Sequence, residues 1–128
     1  MSDLFRLSGA YETTPQTGAQ GSGDPQVSAS IDERLTIDNK TQTNIVLDSD
    51  DAHDVPLGGL DSVHVLIMRT VGGKVMATVS SDDGDDQVFP VDPFLAVMSR
   101  TVPYTAISLT RVTGVPTTVK VFMAQKPL

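Results

Sequence analysis

A chain of 128 residues, 39% of them hydrophobic, is long enough for one compact domain and too short for two ordinary ones. Aromatic residues make up 5% and tryptophan is absent, so a core would be built from Val, Ile, Leu and Met, with no aromatic platform for stacking sugars or bases. The formal net charge of −7 argues against a nucleic-acid surface, whose phosphates demand basic residues, and against anionic membranes.

There is no cysteine. A small domain without disulfides relies on packing, oligomerisation or docking on a partner. The opening MSDLFRLSGAYETT has no basic stretch followed by an apolar run, so no secretory signal is expected. No segment is apolar for long enough to cross a membrane as a helix. A soluble protein is expected.

Residues 1–26 read as an extended N-terminal arm. From Ser8 onward the arm is rich in Gly, Ser, Thr, Gln and Pro, a composition that suits a flexible segment. Its apolar handles are Leu4, Phe5, Leu7 and Tyr11. The alternation in Asp3–Leu7 would let it add a strand to a neighbouring sheet. The other reading lays the arm on its own domain. We take contacts outside the domain as the expectation, because the arm carries little that could offset its own ordering entropy.

Residues 27–128 read as an antiparallel β-domain. Val27, Ala29 and Ile31 alternate with polar neighbours, Leu35 and Ile37 continue the theme, and Ile45–Val46–Leu47 makes a short strand. An irregular loop from Asp48 to Leu60 follows, marked by Pro56 and Gly58–Gly59. In the next strand Val63, Val65 and Ile67 share one face while Leu66 and Met68 take the other, so this strand is expected to be central and covered on both sides. Gly72–Gly73 predicts a type I′ hairpin turn into a strand with Val75, Ala77 and Val79 inward. A turn at DDGDD leads to QVFPVDPFLAVMS, where Pro90 and Pro93 predict a bend, bulge or sheet edge. A last hairpin pairs Thr105, Ile107 and Leu109 with Val119, Val121 and Met123. The expected core is Val63, Val65, Ile67, Val75, Val79, Ile107, Leu109, Val119 and Val121. Leu66, Met68, Met76 and Phe122 are expected on the opposite faces, where exposed apolar groups signal a second layer or a partner.

No helix separates the strands, which excludes a parallel βαβ architecture. The expected fold is an all-β antiparallel sandwich, jelly-roll-like, with the extended arm attached.

Two acidic segments are the first places to look for chemistry: Asp48, Asp50, Asp51 and Asp54, and Asp82, Asp83, Asp85 and Asp86. Grouped carboxylates can hold calcium. Around Gly84, however, the alternate-position acids and downstream glutamate of a calcium loop are missing, so a solvated turn is the better reading. His53 lies in the first segment without a second histidine at ligand spacing. His64 sits on a strand, as packed histidines do. There is no G-x-S-x-G, no thiol nucleophile, no carboxylate pair on rigid elements and no phosphate loop before a helix. No catalytic residue, metal or cofactor is expected, and the protein is not expected to be an enzyme.

Three phrases carry a resemblance: VSSDDGDDQVFPVDPFLAVMS, VPYTAISLTRV and TGVPTTVKVFMAQ. In this order they resemble small β-rich virion proteins of tailed bacteriophages. The resemblance covers about half the chain and leaves out the arm and the Asp48–Leu60 loop. It implies a decoration or cement protein on the capsid surface, assembled in the host cytoplasm. The implied partner is the major capsid protein or another virion protein, with homo-oligomerisation and no role in binding nucleic acid or membrane. Leu4, Phe5, Leu7, Tyr11 and Phe122 are the candidate partner-binding residues. A tail or head–tail adaptor would look much the same. From another class, a calcium-dependent, carbohydrate-binding-like module would use Asp48–Asp54 or Asp82–Asp86.

Overall fold

The computed structural model describes residues 3–12, 28–82, 84, 86–112 and 114–127, with side chains described for these except at Tyr11, Glu12 and Ser28. Among the described residues there are ten strands and no helix: β1 (Asp3–Glu12), β2 (Ser28–Ile37), β3 (Asn39–Leu47), β4 (His53–Asp54), β5 (Val65–Val71), β6 (Val75–Ser81), β7 (Gln87–Val91), β8 (Phe94–Met98), β9 (Tyr104–Arg111) and β10 (Thr117–Gln125). Every pairing is antiparallel. The protein is all-β, as the period-two pattern predicts.

Two four-stranded sheets form the body, the first ordered β3-β10-β5-β8 and the second β4-β9-β6-β7. Between β3 and β10 the chain changes sheet at every step except the β6–β7 hairpin. Counted from β3, the orders are 1-8-3-6 and 2-7-4-5, the arrangement that two interlocked Greek keys, a jelly roll, produce. Val75, Ala77, Val79, Val91, Ile107 and Leu109 from the second sheet meet Ile45, Leu47, Leu66, Met68, Val119, Val121 and Met123 from the first in one buried cluster. Pro90 and Pro93 fall where proline is tolerated: β7 pairs only with β6, and β8 only with β5.

Three sequence expectations change. Neither the Gly72–Gly73 segment nor the last pair of strands forms a hairpin, because β5 and β6 lie in different sheets, as do β9 and β10. Each connection arches from one sheet to the other. Gly72 is needed for a different reason: its φ is +121°, and a Cβ there would sit 2.6 Å from the Pro116 carbonyl oxygen. Thr117 ties the two arches together. Its buried hydroxyl accepts from the Gly73 amide at 3.0 Å and donates to the Val115 carbonyl at 2.9 Å.

The faces of β5 are also exchanged. Leu66 and Met68, fully buried, point into the space between the sheets, while Val65 and Ile67 join a second cluster on the outer face. Apolar residues on both faces leave the period-two pattern unable to choose. Register decides: Leu66 and Met68 stand opposite Met123 and Val121, which face inward. Val63 lies in the main core although it is two residues from Val65, because it sits before a bend at His64 and bridges to Tyr104 of the other sheet.

The third change concerns the arm. β1 and β2 form a separate two-stranded sheet, with Asp3 opposite Ile37 and Glu12 opposite Ser28. This sheet lies on the outer face of the first sheet, where Phe5, Leu35 and Ile37 pack with Val65, Ile67, Met98, Phe122 and Ala124. The described part of the arm, 3–12, therefore contacts its own domain; residues 13–27 lie outside the described residues. Contacts elsewhere were expected because the arm lacks core residues of its own. The missing apolar surface is supplied by Leu35 and Ile37 on its partner strand.

Removing residues 1–12 should lower the stability of the domain by roughly 2–4 kcal/mol, at about 1.5–3 kcal/mol per large apolar side chain uncovered. Urea unfolding of the truncated chain measures this, and an unchanged midpoint would show that the β1 layer adds nothing.

Candidate functional site

Of the five candidate partner-binding residues, the four with described side chains do not come together as one site. Phe5 and Phe122 meet each other, with ring centroids 5.7 Å apart and planes at 19°, an offset stack of the kind aromatic pairs favour. Both are engaged within the chain. Leu4 is on the opposite, outer face of the β1–β2 sheet and is 63% exposed. Leu7 is half-buried and lines an apolar cleft of about 340 Å³ with Ile31, Phe94 and Ala96. The side chain of Tyr11 lies outside the described residues.

Ion pairs hold the β1–β2 sheet in place. Lys40 Nζ donates to Asp3 at 2.8 Å, and Arg100 to Glu33 at 3.1 Å. Within the sheet Arg6 donates to Asp32 at 3.0 Å. The Lys40 hydrogen bond keeps the Asp3 carboxyl below its ordinary range, and the Arg6 hydrogen bond does the same for Asp32. All four of these acid and base positions linking sheet to body are solvent-exposed, so the pairs fix orientation more than they add stability.

The acidic segments are surface features. Asp48, Asp50, Asp51, His53 and Asp54 are exposed, and Asp50 accepts from Arg111 at 2.8 Å. Asp82 and Asp86 are exposed, while Asp83 and Asp85 lie outside the described residues. Among the described residues no three His, Asp or Glu side chains converge as a metal-holding group.

His64 is enclosed rather than poised. Its Nδ1 accepts from the Lys126 amide at 3.1 Å, its own amide donates to the Ala124 carbonyl, and its carbonyl accepts from the Ser99 amide, both at 2.8 Å. Burial, and secondarily the Lys126 charge, hold its pKa below the ordinary 6.5. Gln125, also buried, accepts from the Asp61 amide at 2.9 Å. These contacts lock the end of β10.

The outer face of the second sheet is the feature that sequence reasoning missed. Ala77 and Val79 on β6 and Ile107 and Leu109 on β9 point into the core. Their alternates point outward: Met76, Thr78 and Ser80 on β6, and Ala106, Ser108 and Thr110 on β9, directly opposite one another in the ladder. Val88 and Pro90 extend the face across β7. These eight positions carry no charge, in a chain of which 20% is charged. Nothing in the described residues covers this face, and among its ladder-paired positions a charge appears only on β4, at Asp54 opposite Ser108. The signal is present in the sequence. MATVSS and AISLT alternate apolar residues with Met, Ser, Thr or Ala, and the usual Lys or Glu of a solvated strand face is missing.

Compared with known proteins, the chain matches no family model, no curated protein and no solved structure. Among the described residues no helix is long and apolar enough to cross a membrane.

The lowered His64 pKa has a sign. Unfolded, the imidazole takes its proton near 6.5; folded, only at lower pH. The unfolded state therefore binds more protons in that window, and stability falls as pH drops below 6.5 through the folded-state value. Chemical unfolding from neutral to mildly acidic pH should show this fall in the native chain and a flatter profile in His64→Gln. Identical profiles in the two proteins would remove His64 as the cause.

Proposed function

We propose that this chain is a virion structural protein, a decoration protein that binds the capsid shell of a tailed bacteriophage and reinforces it. The observation that carries the reading is the uncharged outer face that β6, β7 and β9 form on the second sheet. Interface cores are depleted in charged side chains relative to the rest of a protein surface, and a strongly acidic chain that leaves three adjacent strands of one sheet face uncharged has a face suited to docking.

Three further points support the reading. The phrases from VSSDDGDD to VKVFMAQ resemble small phage virion proteins. The jelly-roll strand order occurs in viral capsid domains, an analogy at the level of fold alone. His64 is locked by backbone contacts and the loop carboxylates Asp48, Asp50, Asp51 and Asp54 are solvent-exposed, which suits a binding surface better than catalysis. The order also occurs in lectins, but sugar recognition there would call on aromatic platforms or a bound metal, and among the described residues the exposed acids do not converge.

Capsids prepared without the protein should take it up on co-sedimentation and melt at a higher temperature once decorated. Thr78→Lys with Ser108→Lys places two like charges side by side on the neutral face. That pair should weaken uptake at least about tenfold, or ~1.4 kcal/mol, while lowering the isolated protein's melting temperature by only a few degrees, the cost of two like charges opposed across strands. Capsids that never acquire the native protein would sink the proposal; undiminished uptake of the lysine variant would move the docking face elsewhere.

A further inference from the structure

The β1–β2 sheet covers only half of the first sheet's outer face. Across that face the ladder places residues in rows. Phe122 and Ile67 form one row with Gln42 and Ala96, and Ala124 and Val65 form the next with Lys40 and Met98. Those rows lie under Phe5, Leu35 and Ile37. Toward the other end come two rows beyond these contacts, where only Phe94, at the β8 edge, borders the β1–β2 sheet through the cleft it shares with Leu7 and Ile31. One is Asn44–Lys120–Arg69–Phe94, and the last is Val46–Thr118–Val71.

The bare rows have an unusual make-up. Lys120 stands directly opposite Arg69 on the neighbouring strand, and both are exposed. Like charges directly opposed across strands are destabilising. Among the described residues neither cation has an acidic partner, although the chain holds 16 Asp and Glu against nine Lys and Arg. The two cations line a shallow groove of about 340 Å³ with Asn44, Val71 and Thr118. Around it Val46, Val71 and Phe94 are 60%, 75% and 52% exposed.

Acid lies just beyond the same end. β3 leaves the sheet at Leu47, opposite Thr117, and runs into Asp48, Ser49, Asp50 and Asp51, all exposed. Asp50 is engaged by Arg111, while Asp48 and Asp51 have no ion-pair partner among the described residues. Along the strand direction the order is therefore a cationic row, an apolar row and an acidic loop. A two-fold axis along the apolar row would lay the acidic loop of each copy on the cationic row of the other. That is the self-complementarity a two-fold interface requires.

We propose that the bare half of this face is a homodimer interface, in which Arg69 and Lys120 of one copy receive Asp48 and Asp51 of a second copy across the Val46–Val71 row. Dimerisation supplies the counter-charges that the fold withholds from Lys120 and Arg69, and it covers the exposed valines. The dimer stands independently of the virion reading, and it leaves the neutral face of the second sheet free.

Sedimentation of the full-length chain tests it. The native protein should dimerise in low salt, with at least a tenfold weaker association in half-molar sodium chloride, because screening acts on its exposed ion pairs. Lys120→Glu should lower dimerisation yet raise the melting temperature of the monomer, since the introduced carboxylate faces Arg69. This opposition of signs separates a lost interface from a damaged fold. Asp48→Lys with Asp51→Lys, and Arg69→Glu with Lys120→Glu, should each be monomeric alone and dimerise when mixed. The proposal is overturned by a native chain that stays monomeric in low salt at high concentration, by homodimers that persist in both charge-reversed proteins, or by a mixture that fails to associate. A monomeric native chain that binds a poly-glutamate peptide would give the groove to a foreign acidic chain and overturn the assignment to a second copy.

Discussion

Over Val65–Met68 and Val121–Ala124 the two central strands of the first sheet are apolar on both faces, and the architecture follows from covering both. On β5, Leu66 and Met68 face one way and Val65 and Ile67 the other; on β10, Val121 and Met123 oppose Phe122 and Ala124. A solvated antiparallel sheet needs only one apolar face. Here the second sheet takes the inner side, and the β1–β2 sheet takes the outer. The dependence is mutual. A two-stranded sheet is marginal on its own in water, so the order of β1 and β2 relies on the Val65–Phe122 surface, just as that surface relies on them for cover.

Much of this is legible in the residues, and the parts that are not have physical reasons. Period-two alternation in Val75–Val79, Ile107–Leu109 and Val119–Met123 names the core-facing residues of those strands. Pro90 and Pro93 mark the edges. The faces of β5 are illegible because alternation carries no information when both faces are apolar; only the register against β10 settles them. Gly72 and Gly114 announce tight connections, yet a glycine reports local backbone freedom and says nothing about which sheet receives the next strand. The arm is misread for a related reason. Taken alone, 3–12 offers Phe5 and Leu7 and little else, and its value as a layer emerges only with Leu35 and Ile37 beside it. The neutral face of the second sheet is written plainly in MATVSS and AISLT, but it is visible only when the absence of charge is weighed alongside the apolar positions.

Charge is distributed so that loops carry the acid and sheet faces carry little of it. The exposed carboxylates of Asp48–Asp54, Asp82 and Asp86 sit at the ends of the sandwich. The outer face of the second sheet is neutral, and the bare rows of the first carry the unpaired Lys120 and Arg69. An acidic molecule arranged in this way repels others at its ends and tolerates or attracts them at its faces. A decoration protein that meets its own copies on one face and a shell on the other would use such an arrangement, with the neutral face free of like-charge repulsion and the cationic row setting the register of the pair.

The most direct test of the central dependence is a double-mutant cycle on the Phe5–Phe122 stack that joins the two layers. Phe5→Ala, Phe122→Ala and the double variant are compared with the native chain by equilibrium urea unfolding. If the β1–β2 sheet is bound to the outer face as described, the two losses are non-additive, with a coupling of about 0.5–1.5 kcal/mol, the range for aromatic pairs. Strict additivity, with Phe5→Ala costing nothing, would mean that β1 does not rest on this face, and the account of a sheet covered on both sides would fail.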